Sequence, residues 1–440
     1  MIFPSEGTPF AALHGSSEGR WPRICELATA VPQQLALLSM HTSPLAQPGR
    51  SRDAGGMNVY IHALAQALGK RGNTVDIFTR WTDPTLPQII ALAPRVRLIH
   101  IAAGPVATVP KDHLLPLTAD FARGIAGFVG EAHYTAIHSH YWLSGVAGLT
   151  LAHQWQVPHL AMFHTLARVK EHAQPGVAEP PLRGAWEERI MWGSDGVVVA
   201  TPDERTQIAR FYGAPPERLH VIPCGVDMTR FTPGDRARAR TQLADRLHLG
   251  TGPVLLAVGR LDPLKGADLL VQMLPQLTAG AHLVLLGGDE TDAERAHLRA
   301  RATELGAATR IRFVDAAPQD QLPAYYRAAD LLVVASHYES FGMVAVEALA
   351  CGTPVVAARV GGLPYIVQDG RNGALVPQRT PAAFAHTLNA LLADPQGLAS
   401  LAGRARASVV RFGWANVAAK VNALKCSMAK PAFPESALAE

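Results

Sequence analysis

From residue 34 onward, short and almost continuously apolar runs alternate with segments whose apolar positions have helical spacing, such as Asn58–Lys70 and Asp203–Tyr212. The apolar runs of the first half are Leu35–Met40, Val75–Thr79, Val96–Ile101, Ala136–His140, His159–Phe163, Gly196–Ala200 and Leu219–Pro223. Strands that are buried on both faces of a parallel sheet have continuous rather than alternating apolar residues. The pattern therefore predicts a doubly wound α/β domain.

The same alternation begins again at Pro253, which predicts a second α/β domain. Its apolar runs are Val254–Val258, His282–Leu286, Ile311–Val314, Asp330–Ala335 and Pro354–Ala357. Between the two halves, Pro223–Arg240 is rich in Pro, Gly and charged residues, and we predict a linker there. The predicted division is an N-terminal extension at 1–32, domains at 33–230 and 231–412, and a C-terminal helix with a loose tail at 413–440. That helix is expected to cross back to the first domain.

Composition narrows the class of protein. The 440 residues are 48% hydrophobic and 17% charged, which suits two substantial cores and excludes a disordered chain. A net charge of +4 is too even for a nucleic-acid binder that works by bulk charge. The four cysteines lack zinc-ligand spacing, and no apolar run reaches the roughly 18–20 residues of a membrane span. We expect a cytoplasmic protein with no membrane span and no nucleic-acid partner.

Two facing doubly wound domains leave a cleft at the carboxyl ends of their strands, where ligands bind. After the first strand, His41 is followed by a Gly-rich turn into a helix near Asn58. Glycines allow close backbone approach, and a helix start favours an anion. The turn at Gly55 and Gly56 is not a GxGxxG fingerprint, so it does not indicate a nicotinamide cofactor, and alone it is typical of an ordinary strand-to-helix connection.

Polar segments also follow the fourth and fifth strands, at His138–Trp142 and His164–Lys170. Lys111, Lys170 and Arg183 are cations that could neutralise a phosphate nearby. Taken singly, each is more typical of a solvated surface charge. As a set at the ends of adjacent strands, they predict a site for a phosphorylated ligand.

In the second half, Arg260 and Lys265 flank a tight turn into a helix, a pattern that suits a diphosphate. Glu339 follows a buried strand and Glu347 lies eight positions further on, in the next helix. The amides of Ser340–Met343 open that helix and can hold a phosphate. One carboxylate can then bind sugar hydroxyls and the other ribose hydroxyls.

Three segments of the second half, Glu339–Glu347, Gly259–Gly266 and Pro223–Asp227, together resemble the group 1 family of retaining glycosyltransferases with the GT-B fold. The resemblance covers roughly residues 34–425 and implies two Rossmann-like, doubly wound α/β domains that face each other across a cleft. The N-terminal motifs at 41–49, 53–60, 138–145 and 164–170 are similar to those of the D-inositol-3-phosphate glycosyltransferases of mycothiol biosynthesis. Sucrose-phosphate synthases are near relatives by motif.

By this resemblance, the first domain would bind the acceptor and the second the nucleotide sugar. The implied catalytic residues are Glu339, His164, Arg260 and Lys265. The implied donor-binding residues are Gln47, Pro48, Asp53, Gly56, Asn58, Arg260, Lys265, Glu339, Gly342, Glu347 and Thr353. The implied acceptor-binding residues are His41, Lys111, Tyr141, Thr165 and Arg183. The last four match the positions that grip the acceptor phosphate in the inositol-phosphate enzymes, which favours a phosphorylated acceptor.

The implied reaction moves a hexosyl unit from a nucleotide sugar, UDP-N-acetylglucosamine or UDP-glucose, to a hydroxyl of a phosphorylated polyol or sugar such as inositol phosphate. No carboxylate is obviously placed as a nucleophile, so a front-face route with retention is expected. The chain has no Asp-x-Asp motif, so no cofactor is required; Mg²⁺ is compatible with a diphosphate but is not demanded. A homodimer is compatible with the family.

The sequence departs from the family pattern at Arg50-Ser-Arg52, which places two extra cations beside the substrate loop, and around Arg183. Three alternatives stay open. One is transfer to fructose 6-phosphate or to a polysaccharide- or lipid-linked acceptor. Another is a nucleotide-sugar epimerase, which would lack the set at Lys111, Tyr141 and Thr165. The third is a non-catalytic nucleotide-sugar-binding protein, which would be expected to lack Glu339 or Lys265.

Overall fold

The computed structural model describes residues 32–46, 55–173, 179–278, 280–289 and 291–428. The predicted donor-binding residues Gln47, Pro48 and Asp53 lie outside the described residues. So do the Arg50-Ser-Arg52 segment, most of the predicted extension at 1–32 and the predicted tail after Lys430.

Within the described residues, the N-terminal unit is an eight-stranded sheet with strand order β3-β4-β2-β1-β5-β6-β7-β8. Its strands are β1 Gln34–Ser39, β2 Thr74–Arg80, β3 Ile89–Ala93, β4 Val96–Ile101, β5 Ala136–His140, β6 His159–Met162, β7 Gly196–Val199 and β8 Leu219–Val221. All neighbouring pairs are parallel except β3 with β4. Its helices are α1 Gly56–Lys70, α2 Thr118–Val129, α3 Trp142–Trp155, α4 Ala167–Ala173, α5 Pro181–Gly193 and α6 Pro202–Tyr212.

The C-terminal unit is a parallel six-stranded sheet with order β11-β10-β9-β12-β13-β14. Its strands are β9 Val254–Val258, β10 His282–Leu286, β11 Ile311–Val314, β12 Leu331–Val334, β13 Val355–Ala358 and β14 Gly373–Val376. Its helices are α7 Arg236–Leu247, α8 Ala267–Met273, α9 Ala293–Glu304, α10 Leu322–Ala328, α11 Met343–Ala350, α12 Leu363–Ile366, α13 Pro381–Leu392 and α14 Pro395–Val409. A last helix, α15, spans Trp414–Met428. The prediction of two doubly wound α/β units is confirmed.

The structure corrects the predicted linker Pro223–Arg240. Its last residues are helical, because α7 begins at Arg236. The Asp235 side chain caps that helix by accepting a hydrogen bond of 2.9 Å from the Arg238 amide. An Asp before a run of helix-forming Ala and Arg is a recognisable helix start. The charge of this stretch therefore belongs to a solvated helix rather than to a flexible connection.

Helix α15 returns to the N-terminal unit. The rings of Tyr60 on α1 and Trp414 on α15 have centroids 5.4 Å apart. A parallel β-bridge joins Val226 to Gly413, so the two chain crossings between the units lie side by side. The amide of Val226 donates to the Phe412 carbonyl at 2.8 Å.

Because the strands of both sheets that lead to the site are parallel, their carboxyl ends open toward one cleft. Two of the contacts that join the units there lie beside the predicted site residues. The Ser340 hydroxyl donates to the His164 carbonyl at 2.8 Å. A Cβ added at Gly56 would lie 3.1 Å from Met343 Sδ, so the first turns of α1 and α11 approach closely at that point.

Candidate active site

The buried Asn58 side chain in the first turn of α1 fixes the loop that carries His41. Its Oδ1 accepts from the Gly55 amide at 2.9 Å, and its Nδ2 donates to Thr42 Oγ1 at 2.9 Å and to the Ser43 carbonyl at 2.6 Å. Both amide hydrogens are therefore engaged within the protein. The side chain of Asn58 holds the loop against the helix, and its role in donor binding stays a prediction.

Tyr141 is the centre of the predicted acceptor site. It directly follows β5 with a φ of 73°, a conformation that costs a non-glycine residue free energy. Its ring lies 4.2 Å from the ring of His41, and the Arg183 guanidinium lies 4.9 Å from the Tyr141 ring centroid. Burial raises the pKa of Tyr141, against the opposing charges of Arg183 and Lys111. Four predicted acceptor residues thus share one neighbourhood.

Arg183, on α5, is almost completely buried, with 2% of its side chain exposed. Its Nη2 donates to the Thr165 carbonyl at 2.7 Å and to Thr165 Oγ1 at 3.0 Å. Its Nε donates to Glu187 at 2.7 Å, and its Nη1 donates to Glu179. The structure therefore brings Arg183 and Thr165 together as predicted. The two carboxylates that hold Arg183 were not anticipated.

His164 is the second residue after the end of β6, next to Phe163, and has a φ of 61°. Its Nε2 lies 3.1 Å from Nδ1 of His140, at the end of β5. Burial, with a smaller effect of His41, lowers the pKa of His164 to about 3, and burial also lowers the pKa of His140 well below its usual range. Both imidazoles are therefore neutral near pH 7, and one donates a hydrogen bond to the other.

On the opposite unit, Lys265 and Glu339 form an ion pair at 2.6 Å. Lys265 ends a short 3₁₀ turn, Pro263–Lys265, that follows β9, and the Asp262 carboxylate caps this turn through the Leu264 amide at 2.9 Å. Arg260 lies 3.6 Å from Asp262. The predicted catalytic cations and Glu339 are thus gathered where β9 and β12 end.

Helix α11 begins at Met343, after Gly342 with a φ of 106°. That left-handed conformation favours glycine, and a Cβ there would also lie 2.8 Å from the Leu363 side chain. The free amides and positive end of the helix dipole face the cleft, a setting that binds phosphate. The contact from Ser340 to His164 places this helix start beside the acceptor unit.

Glu347 lies one turn into α11 and is buried. It accepts from the Tyr326 hydroxyl at 2.7 Å and from Gln319 at 3.4 Å. Burial raises its pKa to about 7, which these two hydrogen bonds partly oppose. Tyr326 and Gln319 were not predicted as partners, because both lie more than twenty positions before Glu347.

Thr353 does not lie with the other donor residues. It follows the far end of α11, just before β13 begins, so it is at the amino edge of the sheet and away from the cleft. Its buried hydroxyl donates to the Tyr326 carbonyl at 2.6 Å. This corrects the prediction that Thr353 binds the nucleotide: the residue has a structural role.

The described residues show neither a metal-binding cluster nor a membrane-spanning helix. They contain no group of three or more His, Cys, Asp or Glu side chains arranged to hold a metal ion. No helix among them is both long enough and apolar enough to cross a membrane.

Comparison with known proteins decides the family. The model of group 1 glycosyl transferases matches residues 240–408, and the model of glycosyltransferase family 4 matches residues 54–230. A D-inositol 3-phosphate glycosyltransferase of Xylanimonas cellulosilytica is 46% identical over 398 residues, which are 88% of this chain and 94% of the relative. The chain belongs to the group 1 glycosyltransferases.

Solved structures place this glycosyltransferase in the GT-B fold. A sucrose-phosphate synthase from Thermosynechococcus elongatus is similar with a TM-score of 0.82 and 36% identity, covering 89% of this chain and 98% of that one. HepE of Anabaena, solved with UDP and glucose, has a TM-score of 0.71 at 22% identity, covering 90% and 100% of the two chains, and supports the fold alone. The glycosyltransferase therefore has two Rossmann-like units that face each other across the cleft described above.

Proposed function

We propose that this glycosyltransferase moves a hexosyl unit from UDP-N-acetylglucosamine or UDP-glucose to a hydroxyl of a phosphorylated polyol such as inositol phosphate, with retention of anomeric configuration. The observation that carries the acceptor class is the grouping of Tyr141, Thr165 and the buried Arg183, with Lys111 near enough to influence Tyr141. A guanidinium, an ammonium and two hydroxyls match the oxygens of a phosphate monoester. The names of the relatives support the same acceptor.

In this proposal, the bond between the anomeric carbon and the diphosphate oxygen breaks as a bond to the acceptor oxygen forms. Arg260, Lys265 and the amides at the start of α11 stabilise the negative charge of the leaving diphosphate. The acceptor hydroxyl passes its proton to a leaving phosphate oxygen on the same face of the sugar. His164, which is neutral, can give or accept one hydrogen bond at the sugar but supplies no charge.

The ion pair between Lys265 and Glu339 suits this chemistry. Glu339 would hold donor-sugar hydroxyls while its contact of 2.6 Å keeps Lys265 beside the diphosphate. Preorganised charges of this kind need little rearrangement as the bond breaks. Closure of the two units would exclude water and suppress hydrolysis of the donor.

A panel of acceptors tests the function. Purified protein is incubated with each UDP-sugar and with inositol phosphates, fructose 6-phosphate or unphosphorylated inositol, and UDP release is measured. We expect release that depends on a phosphorylated polyol, with an α-linked product by NMR. Fructose 6-phosphate is the second candidate, because the sucrose-phosphate synthase is 36% identical. No stimulation by any acceptor would overturn the proposal and favour a non-catalytic binding role.

A variant of Glu339 tests the assigned chemistry. Glu339→Gln should lower kcat/KM by about 100-fold or more, because it removes a charged partner of Lys265 and of the sugar. Glu188→Gln is the matched control, because Glu188 likewise pairs with a cation, Arg168 at 2.6 Å, but is 43% exposed on α5. Equal activity of the two variants would contradict the role of Glu339.

The independence from metal ions remains a prediction. We expect full activity in EDTA without added Mg²⁺, since arginine, lysine and helix amides can neutralise a diphosphate. Loss of activity in EDTA and its recovery with Mg²⁺ would contradict this. The cytoplasmic location, the homodimer and the domain limits at 33–230 and 231–412 likewise remain predictions.

A further inference from the structure

A carboxylate occupies the cationic part of the proposed acceptor site. Glu179 lies just before α5, and one of its carboxylate oxygens accepts from Arg183 Nη1 while the other accepts from Lys170 Nζ. The side chains of Glu179, Arg183 and Lys170 are 10%, 2% and 23% exposed. One carboxylate of the same protein thus pairs with both cations of this part of the site.

The second carboxylate on Arg183 is held in a different way. Glu187 is completely buried and accepts from Arg183 Nε at 2.7 Å, from the Ala167 amide at 3.0 Å and from the Tyr212 hydroxyl. Its partners come from three separate helices, so it cannot leave without exposing several buried donors. Glu187 is therefore the permanent counter-charge of Arg183.

Glu179 has fewer attachments. Among the described residues, its carboxylate accepts hydrogen bonds from the two side-chain cations, and its amide donates to Glu171 at 3.2 Å. Arg183 can exchange this carboxylate for another anion and keep its bonds to Glu187 and Thr165. A phosphate monoester carries up to two negative charges and three acceptor oxygens, so it can compete for both cations.

We propose that Glu179 is an internal substitute for the acceptor phosphate: it pairs with Arg183 and Lys170 in the free enzyme and is displaced when a phosphorylated acceptor binds. This inference rests on the proposed function and adds a determinant of specificity. An acceptor without a phosphate leaves the Glu179 ion pairs intact and gains nothing from the two cations. A phosphorylated acceptor must break those ion pairs, so Glu179 weakens its binding while it excludes neutral competitors.

The variant Glu179→Gln keeps the size of the side chain and removes its charge. We expect its KM for the phosphorylated acceptor to fall roughly two- to tenfold, because the acceptor phosphate no longer has to displace a carboxylate from Arg183 and Lys170. The KM for the UDP-sugar should stay unchanged, and so should both constants of the control Glu188→Gln. The wild type must first be shown to respond to that acceptor. An unchanged or higher acceptor KM in Glu179→Gln would then overturn this inference and leave the proposed function standing.

A measurement without turnover separates this result from a loss of folding and from a failure of the proposed function. The unfolding temperature is followed as inorganic phosphate is added. Glu179→Gln should be stabilised by phosphate more than the wild type, because Arg183 and Lys170 then lack their own carboxylate. If phosphate stabilises the wild type and the variant equally, Glu179 is only a structural partner of Arg183, and the inference fails whichever acceptor the enzyme uses.

Discussion

Arg183 and Glu347 are both buried and ionisable, and the chain compensates them in opposite ways. Arg183 is paired with two carboxylates, so its charge is balanced inside the protein. Glu347 is hydrogen-bonded to the neutral Tyr326 and Gln319, and burial raises its pKa to about 7. A buried charge with only neutral partners is costly, and its protonation state then depends on pH in the physiological range.

The raised pKa of Glu347 predicts a pH-dependent affinity for the donor. The folded pKa of about 7 exceeds the usual 4.5, so the group stabilises the fold fully below pH 4.5 and this contribution is lost as pH rises through 7. The ionised form is the better acceptor for ribose hydroxyls. We therefore expect the KM for the UDP-sugar to fall between pH 6 and pH 8.

The variant Glu347→Gln checks this prediction. It should raise the KM for the donor at pH 8 by about tenfold, the loss expected for hydrogen bonds to a charged group. It should also remove the change in KM between pH 6 and pH 8. A pH dependence that persists in Glu347→Gln would assign it to another group.

Sequence motifs predicted those site residues whose structural surroundings are formed by residues nearby in the chain. Glu339, Lys265 and Arg260 follow strands within recognisable segments, and the structure places them at one edge of the sheet. The hydrogen-bond partners of Asn58 and Thr353 were not predicted, because they are fixed only in three dimensions. The partners of buried polar groups come from distant parts of the chain, and one sequence carries no record of those pairings.

At the scale of elements, glycine sets how closely the lysine-bearing turn can approach the glutamate-bearing loop. Gly266 follows Lys265 with a φ of 73°, and a Cβ there would lie 2.2 Å from the carbonyl oxygen of Ala335. Ala335 directly follows β12 and leads into the loop that carries Glu339. The ion pair between Lys265 and Glu339 therefore depends on the absence of a side chain at Gly266.

Comparing Gly266→Ala with Gly306→Ala tests this packing. Gly306 has a similar φ of 66° but nothing within 4 Å of an added Cβ, so its variant carries only the backbone cost, about 1 kcal/mol. Gly266→Ala should lose roughly a further 1–3 kcal/mol of unfolding free energy through overpacking. It should also reduce kcat/KM, which Gly306→Ala should not. Urea denaturation and initial rates give both comparisons, and equal losses would contradict the steric argument.

The elements themselves were largely predictable, because strands buried on both faces have a distinct apolar pattern. All twelve predicted strands overlap strands of the structure. Two strands among the described residues were missed. Ile89–Ala93 is an antiparallel edge strand whose first residue is 44% exposed, and Gly373–Val376 has four residues and begins with glycine. Both are as short as several strands that were predicted, and an apolar run of four or five residues does not by itself distinguish a strand from a loop or a helix segment.

At the scale of the whole molecule, helix α15 packs against the first unit, and this interface contains buried polar side chains. Lys425 on this helix is 1% exposed, and its charge acts on the buried His138 of β5. Burial lowers the pKa of Lys425 to about 7, against a small opposing effect of Cys426. The interface between α15 and the first unit therefore contains an amine, that of Lys425, for which burial favours the neutral form.

The variant Lys425→Met should make the protein more stable. In the folded protein the pKa of Lys425 lies below the usual 10.5. Above pH 10.5 the amine is neutral and its burial does not destabilise the fold, and this stability is lost as pH falls through 7. We expect Lys425→Met to raise the unfolding free energy by about 1–4 kcal/mol at pH 6 and by less as pH approaches 10.

Lys420→Met is the matched control for this prediction, because Lys420 is exposed on the same helix. It should change the unfolding free energy by no more than about 0.5 kcal/mol at either pH. Denaturant unfolding at pH 6 and pH 9.5 measures both variants. A gain for Lys425→Met that does not vary with pH would mean that hydrophobic packing, not the buried amine, is responsible.

The adjacent crossings at Val226 and Gly413 also limit how the cleft can open. Two bodies joined by one strand can swing and twist in many directions. Two neighbouring segments that are hydrogen-bonded to each other act as a hinge and favour rotation about a single axis. The ring of Tyr60 lies 5.2 Å from the His164 ring and 5.4 Å from the Trp414 ring, so the Ser340–His164 contact lies close to that axis and would move little as the units rotate.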